Sequence, residues 1–149
     1  MGSRRKSREM ALQFLYLVDA GKMTGEDAKK SLLGDGSMPE KIREFAEQLA
    51  LGTLSHAEQL DAMITKYAEN WEIKRMTAVD RNIMRLAAYE LVYEPETPVS
   101  VIIDEAVEIA KTFSTEESGK FVNGILDKIK LERKENGATP ADASAKTKE

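Results

Sequence analysis

Arg4, Arg5, Lys6 and Arg8 place four cations within five positions, just ahead of a stretch whose apolar spacing is helical. Phosphate is the chemistry such a cluster suits, because guanidinium and ammonium groups bind phosphate oxygens whatever the sequence of the nucleic acid. The start of a helix already carries about half a positive charge, so cations there need negative charge from elsewhere. On a helical wheel Ala11, Phe14, Leu15 and Val18 form a core stripe. Arg5, Arg8, Leu12 and Tyr16 form a second stripe to one side, which the core does not obviously claim. Cations beside an aromatic ring are a pattern of single-stranded RNA recognition, and RNA phosphates would supply the missing charge. Packing of Tyr16 on a neighbouring helix is the plainer alternative. Exposed cations at a helix start add little to a fold, so replacing Arg4, Arg5 and Arg8 by Ala is expected to leave melting nearly unchanged.

A second candidate lies in "FSTEESGKFVNGILDKI", Phe113 to Ile129. Phe121, Ile125 and Ile129 read as a core stripe, with Lys120, Asn123 and Asp127 on the opposite, polar face. Lys120 and Asn123 suit a phosphate or a base edge; a solvated helix face is the structural alternative. Catalytic chemistry finds no support. His56 is the one histidine and has no metal-ligand spacing around it, cysteine is absent, and no glycine-rich phosphate loop occurs. No enzyme, cofactor or metal site is expected.

The elements that must hold these residues read as helical nearly throughout. The first helix runs from about Arg4 to Ala20. Thr24 with Asp27 starts a second, which Gly34 and Gly36 end. Ser37 with Glu40 starts a third, with Pro39 in its first turn, and Ser55 with Glu58 marks a break before a fourth, to about Asn70. Thr77 with Asp80 caps a fifth helix, to about Tyr93, where Pro95 and Pro98 prevent continuation. Val101, Ile102, Ala106, Ile109 and Ala110 lie on a sixth, ending near Phe113, and Ser114 with Glu117 caps a seventh. The fifth helix is apolar around a wide arc, the mark of a central helix, and Asp80 and Glu90 fall inside that arc. Buried carboxylates need partners. Residues 1–134 read as one helical domain. From Glu135 the chain turns to Asn, Gly, Pro, Ala, Ser and Lys, so 135–149 is expected to be a disordered tail.

The 149 residues suit a single domain, and the net charge of −4 does not by itself suggest nucleic acid. Its distribution does. Residues 1–8 hold four cations and no acid, leaving 18 basic against 26 acidic residues in the rest. No apolar run reaches the length of about 20 residues that crosses a bilayer, and no signal segment is evident. A cytoplasmic protein is expected.

Several blocks together resemble the NusB family of transcription antitermination factors: "RRKSREMALQFLY", "DRNIMRLAAYEL" and "PVSVIIDEAVEIAKTFSTEESGKFVNGILDKI", with the intervening Trp71. They fall in the family's order and cover roughly residues 4–130; Ala20 to Gln48 matches only in pattern. The resemblance implies an all-α fold of about seven helices, arranged as two three-helix bundles packed at an angle. It implies binding of boxA-type single-stranded RNA, as in ribosomal RNA leaders, together with NusE, a small-subunit ribosomal protein. The pair would join other Nus factors on the RNA polymerase elongation complex. Carried over by position, RNA contacts fall on Arg4, Arg5, Arg8, Lys120, Phe121 and Asn123, and partner contacts on or near Tyr16, Asp80 and Arg85. Glu117 stands where the family often has an acidic residue that tunes complex formation. Members look monomeric or dimeric, and a homodimer could cover the basic arm. The domain also resembles the N-terminal part of some RNA cytosine methyltransferases, but the cysteine of that chemistry is missing. A helical interaction module without RNA binding is the alternative function.

Overall fold

Local rules in the sequence account for most helix ends. The structure, a computed structural model, describes residues 2–137 apart from Asp35 and Ser37. Among them are seven α-helices and no strand: α1 (Gly2–Asp19), α2 (Gly25–Leu33), α3 (Glu40–Ser55), α4 (Ala57–Tyr67), α5 (Ala78–Tyr93), α6 (Val99–Phe113) and α7 (Glu116–Gly137), with a short 3₁₀ turn at Ile73–Arg75. Gly21, at φ 74°, ends α1. Its N–H donates to Val18 O (3.0 Å) and that of Lys22 to Leu17 O (3.1 Å), the paired bonds that satisfy the last carbonyls of a helix. The Thr24 and Thr77 hydroxyls accept from the N–H groups of Asp27 and Asp80, each at 3.1 Å, and so cap α2 and α5.

Other ends differ from the sequence reading. The Ser55 hydroxyl donates back to Leu51 O (2.8 Å) and caps nothing; the break comes at His56, between α3 and α4. Thr115, not Ser114, caps α7, accepting from Ser118 N–H at 2.9 Å. Pro39 stands just ahead of α3 rather than in its first turn, and its expected cap Ser37 lies outside the described residues. Val101 faces solvent, and α4 stops at Tyr67. Residues 135–137 complete α7, while the remainder of the expected tail, 138–149, lies outside the described residues.

α1 packs on α2 and α3, and α5, α6 and α7 pack on one another. α5 also touches α1, α3 and α4, so it joins the two groups of three. Phe14 of α1, Leu49 of α3, Leu60 and Ile64 of α4, Met84 and Leu91 of α5, Ile102 of α6 and Leu126 and Ile129 of α7 are fully buried in one continuous core. Every residue of α5 from Asn82 to Leu91 except Arg85 is buried, which is why its apolar arc had to be so wide. α3 approaches α5 closely at Gly52, where a Cβ would collide with the Tyr89 ring. The far end of α5 is held from α7: the Arg133 guanidinium donates to the carbonyls of Glu90, Leu91, Glu94 and Thr97 at 2.6–3.1 Å. Two of them belong to the last turn of α5 and two to the chain that leaves it, so one side chain from α7 ties the helix end to its connection.

Candidate nucleic-acid interface

The cations of the N-terminal arm find negative charge inside the chain. Arg8 is 3% exposed, and its Nε and Nη2 donate to the two carboxylate oxygens of Glu90 at 2.8 Å each. Glu90 is itself 1% exposed, so the pair is interior. Arg5 grips Glu105 of α6 in the same two-pronged way, at 2.7 and 2.8 Å. The bond from Arg5 holds the Glu105 carboxyl below the usual carboxylate range, against the opposing effect of burial. Arg4 is exposed and lays its guanidinium over the Phe45 ring of α3, 3.7 Å from the centroid. Lys6 is exposed.

This arrangement corrects the reading of Arg8 as an open phosphate contact. Arg8 sits on the stripe that faces α5, and Leu12, four residues on, is buried beside it. Burial of an arginine is tolerable only with a paired carboxylate, and Glu90 supplies it. Carboxylates of α5 and α6, not RNA, thus neutralise much of the charge at the start of α1. The expectation that replacing Arg8 leaves stability unchanged falls with it.

At the start of α7, Lys120 and Asn123 are open to solvent, and the nearest carboxylate to Lys120 is that of Glu117 at 3.9 Å. Phe121 is partly buried, one flank on the core, and its ring meets Trp71 edge-on, 5.3 Å between centroids. The six candidate RNA residues therefore fall into two groups. Arg8 pairs with Glu90 near one end of α5, and Ser118 of α7 donates to Asp80 (2.9 Å) at the other, about 15 Å along the helix. Between the two ends runs a groove lined by Lys6, Glu9, Gln13 and Tyr16 of α1, with Val79 and Phe113. Tyr16 is 40% and Phe113 49% exposed.

The three candidate partner residues separate as well. Tyr16 lines that groove. Asp80 is buried, with one carboxylate oxygen accepting from Ser118, so it is not an open partner contact; its place at the α5 N-terminus, within reach of α7, explains why. Arg85 lies in another depression, donating to both oxygens of Asp61 on α4 at 2.7 and 2.9 Å, with Asp19 of α1 3.5 Å away. Asp19 also accepts from Arg81 and Asn82. Burial pushes the Asp19 carboxyl up, but these bonds outweigh it and leave the group below its ordinary range. The arginines on the polar side of α5 thus tie it to α1 and α4. Among the described residues no three His, Asp or Glu side chains are grouped to hold a metal ion, and no helix is long and apolar enough to cross a membrane.

The NusB family model matches residues 5–130. The transcription antitermination protein NusB of Elusimicrobium minutum is 50% identical over 142 residues, which cover 90% of this chain and 97% of the relative. That of Desulforamulus reducens is 46% identical over 136 residues, 91% of this chain and 94% of its own. Among solved structures, T. maritima NusB superposes with a TM-score of 0.80 at 40% identity, covering 87% of this chain and 91% of that one. A chain from the crystal structure of the antitermination factors NusB and NusE in complex with dsRNA superposes with a TM-score of 0.79 at 27% identity, covering 88% and 98%. With the family's blocks present in order and its all-α fold in place, the chain belongs to the NusB family of transcription antitermination proteins.

Proposed function

We propose that this protein is a transcription antitermination factor that binds boxA-type RNA together with NusE and supports transcription of ribosomal RNA. It works by binding rather than by catalysis, in the cytoplasm, and joins other Nus factors on the elongating polymerase. The observation that carries the reading is the family match over residues 5–130, which takes in Arg5, Lys6, Arg8 and the start of α7. The geometry supports a division of labour. In this reading Arg4, Lys120, Phe121 and Asn123 meet RNA, and Arg5 does so by exchanging Glu105 for a phosphate. Arg8 braces the arm from within. Tyr16, with Phe113 and Val79, offers an apolar strip between the two cationic groups, which suits NusE. A protein seated there would lie beside both RNA contacts. Coupling of RNA and partner follows, at about 1–3 kcal/mol, or about 5–150-fold in affinity in each direction.

The experiment is a titration of labelled boxA-like RNA at zero and saturating NusE, repeated with a scrambled RNA and over a range of salt. With about three phosphates neutralised, the log–log salt slope for single-stranded RNA is roughly −2. Tyr16→Asp weakens NusE binding and reduces the coupling. A slope near zero, or no RNA binding, returns the chain to a helical interaction module without an RNA role. Equal RNA affinity with and without NusE removes the cooperative part alone.

A further inference from the structure

Trp71 is the chain's one tryptophan and stands in the connection between α4 and the 3₁₀ turn. Its backbone N–H donates to Ala68 O at 3.0 Å, and 56% of the residue is open to solvent. One exposed apolar ring alone would call for no explanation, but this one is continuous with a second. The Phe121 ring meets it at an interplanar angle of 69°, so the two rings form walls of a corner rather than closing face to face. The cleft they bound is also lined by Arg75, Met76, Glu117 and Asp80.

Two further observations say what fits. Asp80 is 92% buried, since its exposure is 8%, yet only one of its carboxylate oxygens, the one that accepts from Ser118, has a hydrogen-bond partner; Oδ1 has none. A buried acceptor without a donor is costly, and a ligand N–H that reaches it by displacing the cleft wall would relieve it. The cleft is also flanked by open cations, with the side chains of Arg75 and Lys120 exposed at 80% and 75%. Flat apolar walls, an acceptor in want of a donor and cations on the flanks describe the needs of one unstacked nucleotide: a ring to stack, an amine to bind and a phosphate to neutralise.

We propose that the cleft between Trp71 and Phe121 holds one base of the bound RNA, stacked on Trp71, and that this base carries an exocyclic amine directed to Asp80. The proposal rests on the RNA-binding reading above and adds a specificity position to it. Phosphate contacts along the arm carry no sequence information directly, whereas a base held at its edge does.

Because Trp71 is the sole indole, its emission reports the cleft directly. The full chain is titrated with boxA-like RNA while the anisotropy of a label on the RNA and the indole emission are followed together. Emission is expected to fall along the same isotherm as the anisotropy rises. An abasic nucleotide at one position of the RNA abolishes the quench and weakens binding, and an analogue lacking only the exocyclic amine binds less well there than the amino-bearing base. Trp71→Ala weakens RNA binding by about 5–150-fold, the range base–aromatic stacking supplies, and the penalty of the abasic nucleotide vanishes in that background. Trp71→Phe keeps a ring and recovers most of the affinity, which separates stacking from any fold defect. RNA binding with unchanged emission and an unaffected Trp71→Ala protein would overturn the proposal. So would full quenching by NusE without RNA, which would give the cleft to a protein. Equal binding of an analogue of that base lacking only the exocyclic amine overturns the assignment to Asp80. No change in anisotropy at all removes the RNA reading, and the base site with it.

Discussion

The start of α1 carries four cations and the start of α7 one, Lys120, and the fold uses them in opposite ways. At α1, Arg5 and Arg8 each hold a carboxylate with two prongs, in pairs whose side chains are 29% and 16% exposed for Arg5–Glu105 and 4% and 2% for Arg8–Glu90. At α7, Lys120 and its neighbour Glu117 are 75% and 87% exposed and 3.9 Å apart, a contact that salt and solvent screen almost entirely. The residue types match the duties. A planar guanidinium fork suits a fixed, desolvated carboxylate, whereas an ammonium on a flexible stem suits a mobile phosphate. A run of cations in a sequence is therefore not a surplus of charge in the fold. What counts is which of them the interior has already matched.

The sharpest way to break this contrast is Arg8→Ala. It strands Glu90 in the core without a partner, and chemical denaturation is expected to show a loss of about 3–5 kcal/mol. Replacing Arg8 and Glu90 together by apolar residues of similar volume recovers most of that loss. A single-mutant cost under about 1 kcal/mol would mean the pair is not interior. Next comes Glu105→Gln, which removes a part-exposed pair at about 1 kcal/mol or less. It also frees Arg5, so RNA affinity rises while stability falls slightly, and a fall in both would contradict the exchange of carboxylate for phosphate. The same variant tests pH dependence. Glu105 titrates below its unfolded value of about 4.3, so its contribution is complete above that pH and is lost as pH falls through the lowered folded value. Thermal melts between neutral and acid pH should show a shallower acid limb for Glu105→Gln than for the parent protein. The smallest effect on stability belongs to Lys120→Ala, within about 0.5 kcal/mol of the parent. Its signature lies in RNA binding, where affinity drops and the salt slope shrinks by about 0.7.

The helices were legible because their signals are local. Threonine caps at Thr24 and Thr77, the glycine after α1 and the prolines after α5 act within a few residues of themselves. Serine was less readable for the same reason: the Ser55 hydroxyl had a carbonyl one turn back within reach and took it. The site was legible only in halves. Arg8 stood on a stripe beside the core, and Glu90 stood inside the apolar arc of α5, a carboxylate in need of a partner. That each answers the other is a fact of packing between residues 82 positions apart, and no periodicity carries it. Asp80 hid its role in the same way. Its own helix start explained the residue, while the bond to Ser118 belongs to the meeting of α5 and α7. Trp71 gave no periodic signal at all, since it lies in a connection.

The fork of Arg133 across the last carbonyls of α5 bears on how the molecule breathes. Helix ends are where amide protons escape first, through local opening that costs far less than global unfolding. Here the last turn of α5 is clasped by a side chain from α7, 42 residues beyond Leu91, so its opening requires α7 to let go as well. Hydrogen exchange in that turn should track the C-terminal half of α7 rather than the fraying of a free end. Arg133 also stands beyond residue 130, where the family match stops. A chain trimmed to that match would keep its core residues and lose the clasp, and the C-terminal turn of α5, with Glu90 and the buried end of Arg8 beside it, would become the first part of the domain to exchange.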